Sequence, residues 1–179
     1  MTKSAHNFLK GSALFLFGIK LNRLNMLGMI FMAIAEKQEE RTLLLIKPDG
    51  VRDHRVGNII SRIENRRFTI DAIKTMTADD EILKKHYSHL VDKPFFPGIL
   101  KYMESGAIVA LVVSGTNVIN VVHKMAGATN PSEAAPGTIR GDFAREWTNK
   151  ESIHNVVHTS DSVESAEREI ALWFPELAK

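Results

Sequence analysis

A histidine ends a short valine-rich stretch near the carboxyl end of the chain, in the sequence NVVHTSDSVES (155–165). The pattern predicts a strand over 155–158 and a helix over 161–174. His158 would therefore lie just ahead of a helix N-terminus, where free N–H groups and the helix dipole favour an anion. An imidazole with an ordinary pKa of ~6.5 is mostly neutral at pH 7 and keeps a lone pair for attack. This histidine could accept a phosphoryl group, and the alternative for this segment alone is a histidine that caps the helix or bonds a carbonyl.

Three other positions carry side chains suited to a phosphorylated ligand. Lys47 leaves a predicted strand at a proline, which would hold a cation at the strand end. Arg140, in the sequence TIRGD, could grip phosphate oxygens with its guanidinium fork. Phe95 and Phe96, between two prolines, could form an aromatic ledge for a base. Taken separately, each also fits an ordinary role as a solvated lysine, a surface ion pair or a core aromatic corner.

The elements that must position these side chains alternate along the chain. Hydrophobic periodicity and turn residues predict strands at 42–47, 68–76, 108–114 and 155–158, and helices at 56–66, 79–90, 95–105, 117–125 and 161–174. Asp161 followed by Glu164 resembles a capping box for the last helix. Four strands separated by helices predict an α/β (α+β) fold, a ferredoxin-like sandwich in which a four-stranded antiparallel sheet is covered by helices.

Several classes of site are absent from the sequence. It contains no P-loop, dinucleotide-binding, nucleophile-elbow or H-E-x-x-H motif, and no cysteine for disulfides or thiolate metal sites. His154 and His158 would lie ~13 Å apart in a strand, too far to share one ion. His86 and His89 could meet on a helix face, and a solvated face is the preferred interpretation.

The charge of the chain is unevenly distributed. The formal net charge is +2, but residues 1–35 carry four basic residues and no acid, which leaves −2 on residues 36–179. Residues 36–179 therefore offer no electrostatic case for binding nucleic acid. The uncharged runs of residues 1–35 are 9 and 12 residues long, short of the ~18 needed to span a bilayer, so no membrane partner is expected.

Residues 1–35 have three interpretations. They could be a signal peptide, because Ala33-Ile34-Ala35 has a small-x-small pattern, or a transit peptide. They could also be upstream sequence translated ahead of a true start at Met32, which is the preferred interpretation. We expect residues 1–35 to lie outside the fold, residues 36–179 to form one domain, and a chain that starts near Met32 to be cytoplasmic.

Together the motifs resemble the nucleoside diphosphate kinase family. The resemblance is carried by IKPDGV (46–51), HYSHL with KPFFPGI (86–99), GATNPSEA (127–134), PGTIRGDF (136–143) and NVVHTSDSVESAEREIALWF (155–174). It runs from about Arg41 to Phe174. It implies an enzyme that transfers the γ-phosphoryl group from a nucleoside triphosphate to a nucleoside diphosphate through a phosphohistidine, with ping-pong kinetics.

The resemblance also implies roles for individual residues. His158 matches the nucleophile, Glu169 the carboxylate that holds its other nitrogen, and Ser160 the hydroxyl beside it. The implied contacts to the substrate are Lys47, Tyr87 and Asn155 at sugar hydroxyls and phosphates, Thr129 and Arg140 at phosphates, and Phe95 and Ile99 at the base. Stacking implies low base specificity. Mg²⁺ would arrive with ATP or another nucleotide, and a homo-oligomer (hexamer or tetramer) is implied.

The sequence departs from the family pattern at two site positions. His123 stands where the family has an arginine, so nucleotide affinity should fall unless Lys124 compensates. Thr159 follows the candidate nucleophile where the family has glycine or alanine, and a stiff β-branched side chain could crowd the phosphoryl path. In addition, segment 144–154 is longer than in common members, and the chain ends soon after Trp173.

These departures leave alternatives to an active kinase. One is a nucleotide-binding scaffold of the same fold with weakened or lost turnover. A separate alternative, based on the shared βαββαβ topology, is an RNA-binding sheet. The aromatic signature that such sheets use for stacking is missing here, and residues 36–179 are net negative.

Overall fold

The computed structural model describes residues 39–145 and 152–177. Within them lies one four-stranded sheet in the order β2-β3-β1-β4, and all three neighbouring pairs are antiparallel. The strands are β1 Glu39–Ile46, β2 Thr69–Met76, β3 Ile108–Thr116 and β4 Val157–Thr159. This is the predicted ferredoxin-like α/β sandwich, and the prediction is confirmed. The predicted leader, residues 1–35, lies outside the described residues.

Helices connect the strands. The described α-helices are α1 Pro48–Arg52, α2 Val56–Asn65, α3 Asp80–His86, α4 Phe96–Met103, α5 Val118–Ala126, α6 Ile139–Phe143 and α7 Val163–Trp173. Short 3₁₀ turns span Ser88–Leu90, Pro131–Glu133 and Pro175–Leu177. None of the helices within residues 39–145 and 152–177 has the length and apolar content needed to cross a bilayer.

Two of these helices were not predicted. In the sequence, Pro48 and Asp49-Gly50 are typical turn signals. In the structure, Pro48 instead occupies the first position of α1, where its fixed φ suits a helix and its missing N–H costs nothing. The sequence around Arg140, with two prolines and a glycine ahead of it, is typical of the end of a loop. In the structure Arg140 lies in α6, where the Thr138 side chain caps the helix by accepting from the Gly141 N–H.

The central strand β1 is buried on both faces. Leu44 and Ile46 pack into one core with α2 and α5, and Leu43 and Leu45 pack into a second core with α3, α4 and α7. The continuous apolar run of β1 follows from this two-sided burial. His158 on β4 is the cross-strand partner of Leu45, and Thr159 is the partner of Leu44, so these two neighbours face different cores.

Strand β2 forms one edge of the sheet and contains an irregularity. The register against β3 shifts between Ile70 and Ala72, which is the position of a β-bulge. In the sequence, Phe68, Ile70 and Ala72 alternate with polar residues, and Ile73 breaks this alternation. The bulge accounts for the break, and the Ile73 side chain is 52% exposed.

A buried carboxylate fixes the ends of β1 and β4. Asp49 accepts hydrogen bonds from the Tyr102 hydroxyl at 2.6 Å, the Val156 amide at 3.1 Å and the Gly50 amide at 2.9 Å. Val156 has φ 67°, unusual for a β-branched residue, and its carbonyl accepts from the Lys47 amide at 2.8 Å. These bonds hold the segment that carries Lys47 next to the segment that carries Asn155.

The start of α7 corrects one prediction. The helix begins at Val163, and Ser162, in extended conformation, caps it by accepting from the Ser165 amide at 3.1 Å. Asp161 and Glu164 therefore do not form the expected capping box. The Asp161 carboxylate instead has its pKa lowered, chiefly by hydrogen bonds from Ser165 and Ser162.

Candidate active site

The candidate nucleophile is held by a carboxylate from the last helix. His158 Nε2 lies 2.9 Å from Glu169 Oε2, and the Ser160 hydroxyl donates to the same oxygen at 2.8 Å. Glu169 is 4% exposed, and it lies on α7. Ser160 is fixed in turn, because its Oγ accepts from the Leu43 amide at 3.2 Å. With Nε2–H donating to Glu169, the lone pair of His158 resides on Nδ1.

Electrostatics keep this imidazole neutral. Burial lowers the pKa of His158 below its ordinary value of 6.5, the hydrogen bond to Glu169 opposes that effect, and Lys47 and Arg140 lower it further. At neutral pH the ring is therefore an uncharged nucleophile in electropositive surroundings. Such a group can take up a phosphoryl group.

A second histidine packs against the first. His86, the last residue of α3, is 1% exposed, and its ring meets that of His158 edge-on with centroids 4.4 Å apart. The Trp173 indole N–H donates to His86 Nδ1 at 3.1 Å, which places the ring proton on Nε2. Burial, then the charge of His158, holds the pKa of His86 well below its usual range.

The sequence interpretation of His86 was wrong. A solvated helix face was preferred because no further metal ligand lies nearby in sequence. The adjacent Lys84 and Lys85 are indeed exposed and form ion pairs one turn back. Leu83 and His86 are nevertheless both buried, three residues apart on the same side of α3. That spacing was the signal available in the sequence.

Lys47 lies immediately after β1 and is 8% exposed. Its Nζ donates to Asn155 Oδ1 at 2.7 Å, and Asn155 Nδ2 donates to the Thr129 carbonyl at 2.8 Å. Burial, with repulsion from Arg140, lowers the pKa of Lys47 to about 7, against the opposing attraction of Asp49. The amine is thus poised between its charged and uncharged forms near neutral pH.

Arg140 links helix α5 to strand β4. One terminal nitrogen donates to the Gly127 carbonyl at 2.6 Å, the other to the Val157 carbonyl at 3.0 Å, and the residue is 6% exposed. Gly127 ends α5 with φ 84°, a conformation that favours glycine. Both terminal nitrogens keep a second N–H, so the guanidinium remains able to donate to an anion.

Three further residues expected at the site come from the ends of α3 and α4. The Tyr87 ring centroid is 6.3 Å from that of His158, and the Tyr87 hydroxyl donates to Met103 Sδ at 4.0 Å. Phe95, just before α4, is 51% exposed, and Ile99, one turn further on, packs partly into the second core.

His123 and Thr129 are connected to the residues around His158 through hydrogen bonds with Thr159 and Asn155. His123, in the last turn of α5, has its Nδ1 3.2 Å from Thr159 Oγ1. Thr129 is exposed, and its carbonyl is held by Asn155. Hydrogen bonds and ring contacts thus tie most of the expected residues to the surroundings of His158, while Phe95 and Ile99 are placed by α4.

Comparisons with known proteins agree on one family. A sequence profile described as nucleoside diphosphate kinase matches residues 40–178. A nucleoside diphosphate kinase of Streptococcus agalactiae is 52% identical over 135 residues, covering 75% of this chain and 98% of that protein. Nucleoside diphosphate kinase B of Rattus norvegicus is 52% identical over 135 residues, covering 75% and 86%.

A solved structure shows the same likeness in three dimensions. The structure of a halophilic nucleoside diphosphate kinase from Halobacterium salinarum in complex with CDP superposes with a TM-score of 0.71 at 39% identity. The match covers 76% of this chain and 88% of that one. The chain therefore belongs to the nucleoside diphosphate kinase family.

Proposed function

We propose that this phosphotransferase moves the γ-phosphoryl group of a nucleoside triphosphate to a nucleoside diphosphate through a phosphohistidine at His158. The observation that carries the proposal is the hydrogen bond of 2.9 Å between His158 Nε2 and Glu169 Oε2. This bond directs the lone pair to Nδ1, in the electropositive surroundings set by Lys47 and Arg140. The arrangement supplies a nucleophile, a group that fixes its tautomer and positive charge for the phosphates.

The reaction then proceeds as two in-line displacements. His158 Nδ1 forms a bond to the γ-phosphorus while the bond from that phosphorus to the β,γ-bridging oxygen breaks, and the diphosphate leaves. A terminal oxygen of a second diphosphate next attacks the same phosphorus and releases Nδ1. The phosphorylated ring with a proton on Nε2 carries positive charge, which the buried carboxylate of Glu169 stabilises. Arg140 and protonated Lys47 stabilise negative charge on the transferred oxygens.

The substrate contacts follow from the placement of the surrounding side chains. Phe95 is exposed enough to stack on a base, with Ile99 beside it, which favours low base specificity. The remaining contacts, to the sugar and the phosphates, come from residues that form hydrogen bonds around His158 or lie beside its ring. These residues are Lys47, Tyr87, His123, Thr129, Arg140 and Asn155.

Mg²⁺ enters as part of the nucleotide substrate in this proposal. Within the described residues the one cluster able to hold an ion is His86, His158 and Glu169, whose ligand atoms lie within 4.8 Å of one another. Two imidazoles and one carboxylate are a poor match for Mg²⁺, which prefers oxygen ligands. The Glu169 oxygen there also already accepts two hydrogen bonds. The poor match of these side chains to Mg²⁺ supports the proposal that the ion is bound by the nucleotide phosphates instead.

The proposal extends to assembly, domain extent and location. An edge strand β2 with an exposed Ile73 supports association into a homo-oligomer, a hexamer or a tetramer, which light scattering after size exclusion would distinguish. Residues 36–179 form the catalytic domain, and purified 36–179 should keep the specific activity of the full chain. A cytoplasmic location is tested by fractionation of the source cells.

The phosphohistidine is tested by incubating the protein with γ-labelled ATP. We expect base-stable, acid-labile label on the wild type, its removal by an added nucleoside diphosphate, and no label on His158→Gln. His89→Gln, which alters an exposed histidine in a 3₁₀ turn, is the matched control and should label normally. Label that persists in His158→Gln, or an unlabelled wild type, would overturn the proposal.

A further inference from the structure

The residue after the candidate nucleophile contacts a second imidazole. Thr159 Oγ1 lies 3.2 Å from His123 Nδ1, although the two residues are 36 positions apart in sequence. Thr159 is 5% exposed, whereas His123 is exposed in the last turn of α5. These are the two site positions at which the sequence departs from the family pattern, and they touch each other.

Thr159 directly follows His158 in β4, although the two side chains face opposite sides of the sheet. The amide of Lys47 donates to the Val156 carbonyl and the amide of Ser160 donates to the Leu43 carbonyl. In an antiparallel ladder, the main-chain groups of Val157 and Thr159 then point away from β1, toward the free edge of the sheet.

Both residues that flank His158 in β4 are bound by nitrogen-bearing side chains. The Val157 carbonyl accepts from Arg140, and the Thr159 hydroxyl meets His123. These two side chains come from α6 and α5, on the same side of the sheet.

The contact restricts an otherwise mobile donor. An exposed histidine rotates broadly about its second side-chain torsion, and either ring nitrogen can carry the proton. A hydroxyl that donates to Nδ1 fixes the ring orientation and puts the proton on Nε2. Within residues 39–145 and 152–177, no hydrogen bond occupies His123 Nε2, so its N–H is available to a phosphate oxygen.

We propose that Thr159 is a positioning residue, whose buried hydroxyl holds His123 so that His123 Nε2–H donates to a phosphate of the bound nucleotide. The inference rests on the proposed function, since it concerns the nucleotide of the same site. Thr159 thereby affects binding of the phosphates through His123, without contacting the reacting atoms.

The test is ADP binding by calorimetry, together with KM and kcat for phosphoryl transfer, on the full chain. Thr159→Val keeps the shape and removes the hydroxyl, so we expect the dissociation constant and KM to rise about three- to tenfold, the effect of one lost hydrogen bond. We expect kcat to change much less. Thr159→Ser keeps the hydroxyl and should return ADP affinity to within about twofold of wild type.

Two further variants separate positioning from packing. In the His123→Ala background, adding Thr159→Val should produce no further loss, because the hydroxyl would then have nothing to position. Thr42→Val makes the same change at a buried threonine of β1, whose hydroxyl donates to the Leu43 carbonyl at 3.5 Å, and should leave ADP affinity unchanged.

The inference is overturned if Thr159→Val binds ADP like the wild type, or if its effect persists undiminished without His123. Calorimetry needs no turnover, so the two failures are distinguishable. Absent phosphoryl transfer in the wild type counts against the proposed function, and unchanged ADP affinity in Thr159→Val counts against this inference.

Discussion

Lys47 Nζ lies 2.7 Å from Asn155 Oδ1, which ties the residue after β1 to the segment that leads into β4. Because this amine is buried, its pKa is lowered to about 7. The group expected to meet substrate phosphates is thus only partly charged in the free protein at neutral pH.

The first prediction concerns the pH dependence of kcat/KM, which reports the free enzyme. As pH rises through about 7, Lys47 loses its proton, and kcat/KM should fall with an alkaline limb near that value. As pH falls, His158 becomes protonated and loses its nucleophilic lone pair, which produces an acid limb below the ordinary value of 6.5. Initial rates across about pH 5 to 9.5 would show both limbs.

Lys47→Arg is the matching variant, because arginine keeps its charge throughout this range. Its alkaline limb should move to higher pH, whatever the change in maximal rate. An alkaline limb that stays in place would assign that titration to another group.

The second prediction concerns Glu169. Glu169→Gln keeps an oxygen able to accept from His158 Nε2 but loses the negative charge that stabilises the phosphorylated ring. We expect kcat to fall about tenfold or more, because hydrogen bonds to ionised acceptors are the stronger ones. Ser160→Ala removes one of the two donors to Glu169 Oε2 and should cost less. Rapid-quench measurement of labelled protein would compare the two, and equal losses would contradict a role for the charge.

The third prediction uses Trp173 as a reporter. Its N–H donates to His86, whose ring contacts that of His158. Phosphorylation of His158 places negatively charged oxygens and a positive ring next to His86, so Trp173 emission should change on mixing with ATP and reverse with excess ADP. Trp147→Phe removes the other tryptophan of the chain and isolates the signal. If His158→Gln shows the same change, the emission reports binding and not phosphorylation.

The fourth prediction concerns stability. Burial and the neighbouring Asp49 raise the pKa of Tyr102 well above its usual range, so its hydroxyl stays protonated and donates to that carboxylate. Tyr102→Phe leaves a buried carboxylate short of one donor, and we expect unfolding in urea to become easier by about 1–3 kcal/mol. Tyr87→Phe is the control, since among the described residues its hydroxyl donates only to the weak sulfur acceptor of Met103. An equal loss in both variants would contradict the importance of the Asp49 bond.

Much of this architecture was readable from local patterns. The almost continuous apolar run of β3 indicated a central strand, and Lys47 lies directly after the end of β1 as expected. His158 was expected to end its strand, but it is the middle residue of β4. The two short helices α1 and α6 were missed because proline and glycine signal turns and helix ends alike.

The parts of the site that were not predicted depend on contacts between distant segments. His86 is buried by Trp173 and His158, and nothing within its own helix other than the spacing to Leu83 reveals that. Asp49 stands before a glycine, which is a turn signal in the sequence. Its role as a buried acceptor was not visible, because its partners Tyr102 and Val156 lie 53 and 107 positions away. The contact between His123 and Thr159 is equally invisible to any local window.

The strand order β2-β3-β1-β4 has a consequence for synthesis of the protein. The first three strands can pair while the ribosome is still adding the last part of the chain, because β1 already has β3 as its neighbour. The other side of β1 stays open until β4 emerges, and Glu169 follows later still. A nascent chain can therefore assemble most of its sheet before β4 and α7 have been made, and the hydrogen bond between His158 and Glu169 is among the last contacts of this sheet to become possible.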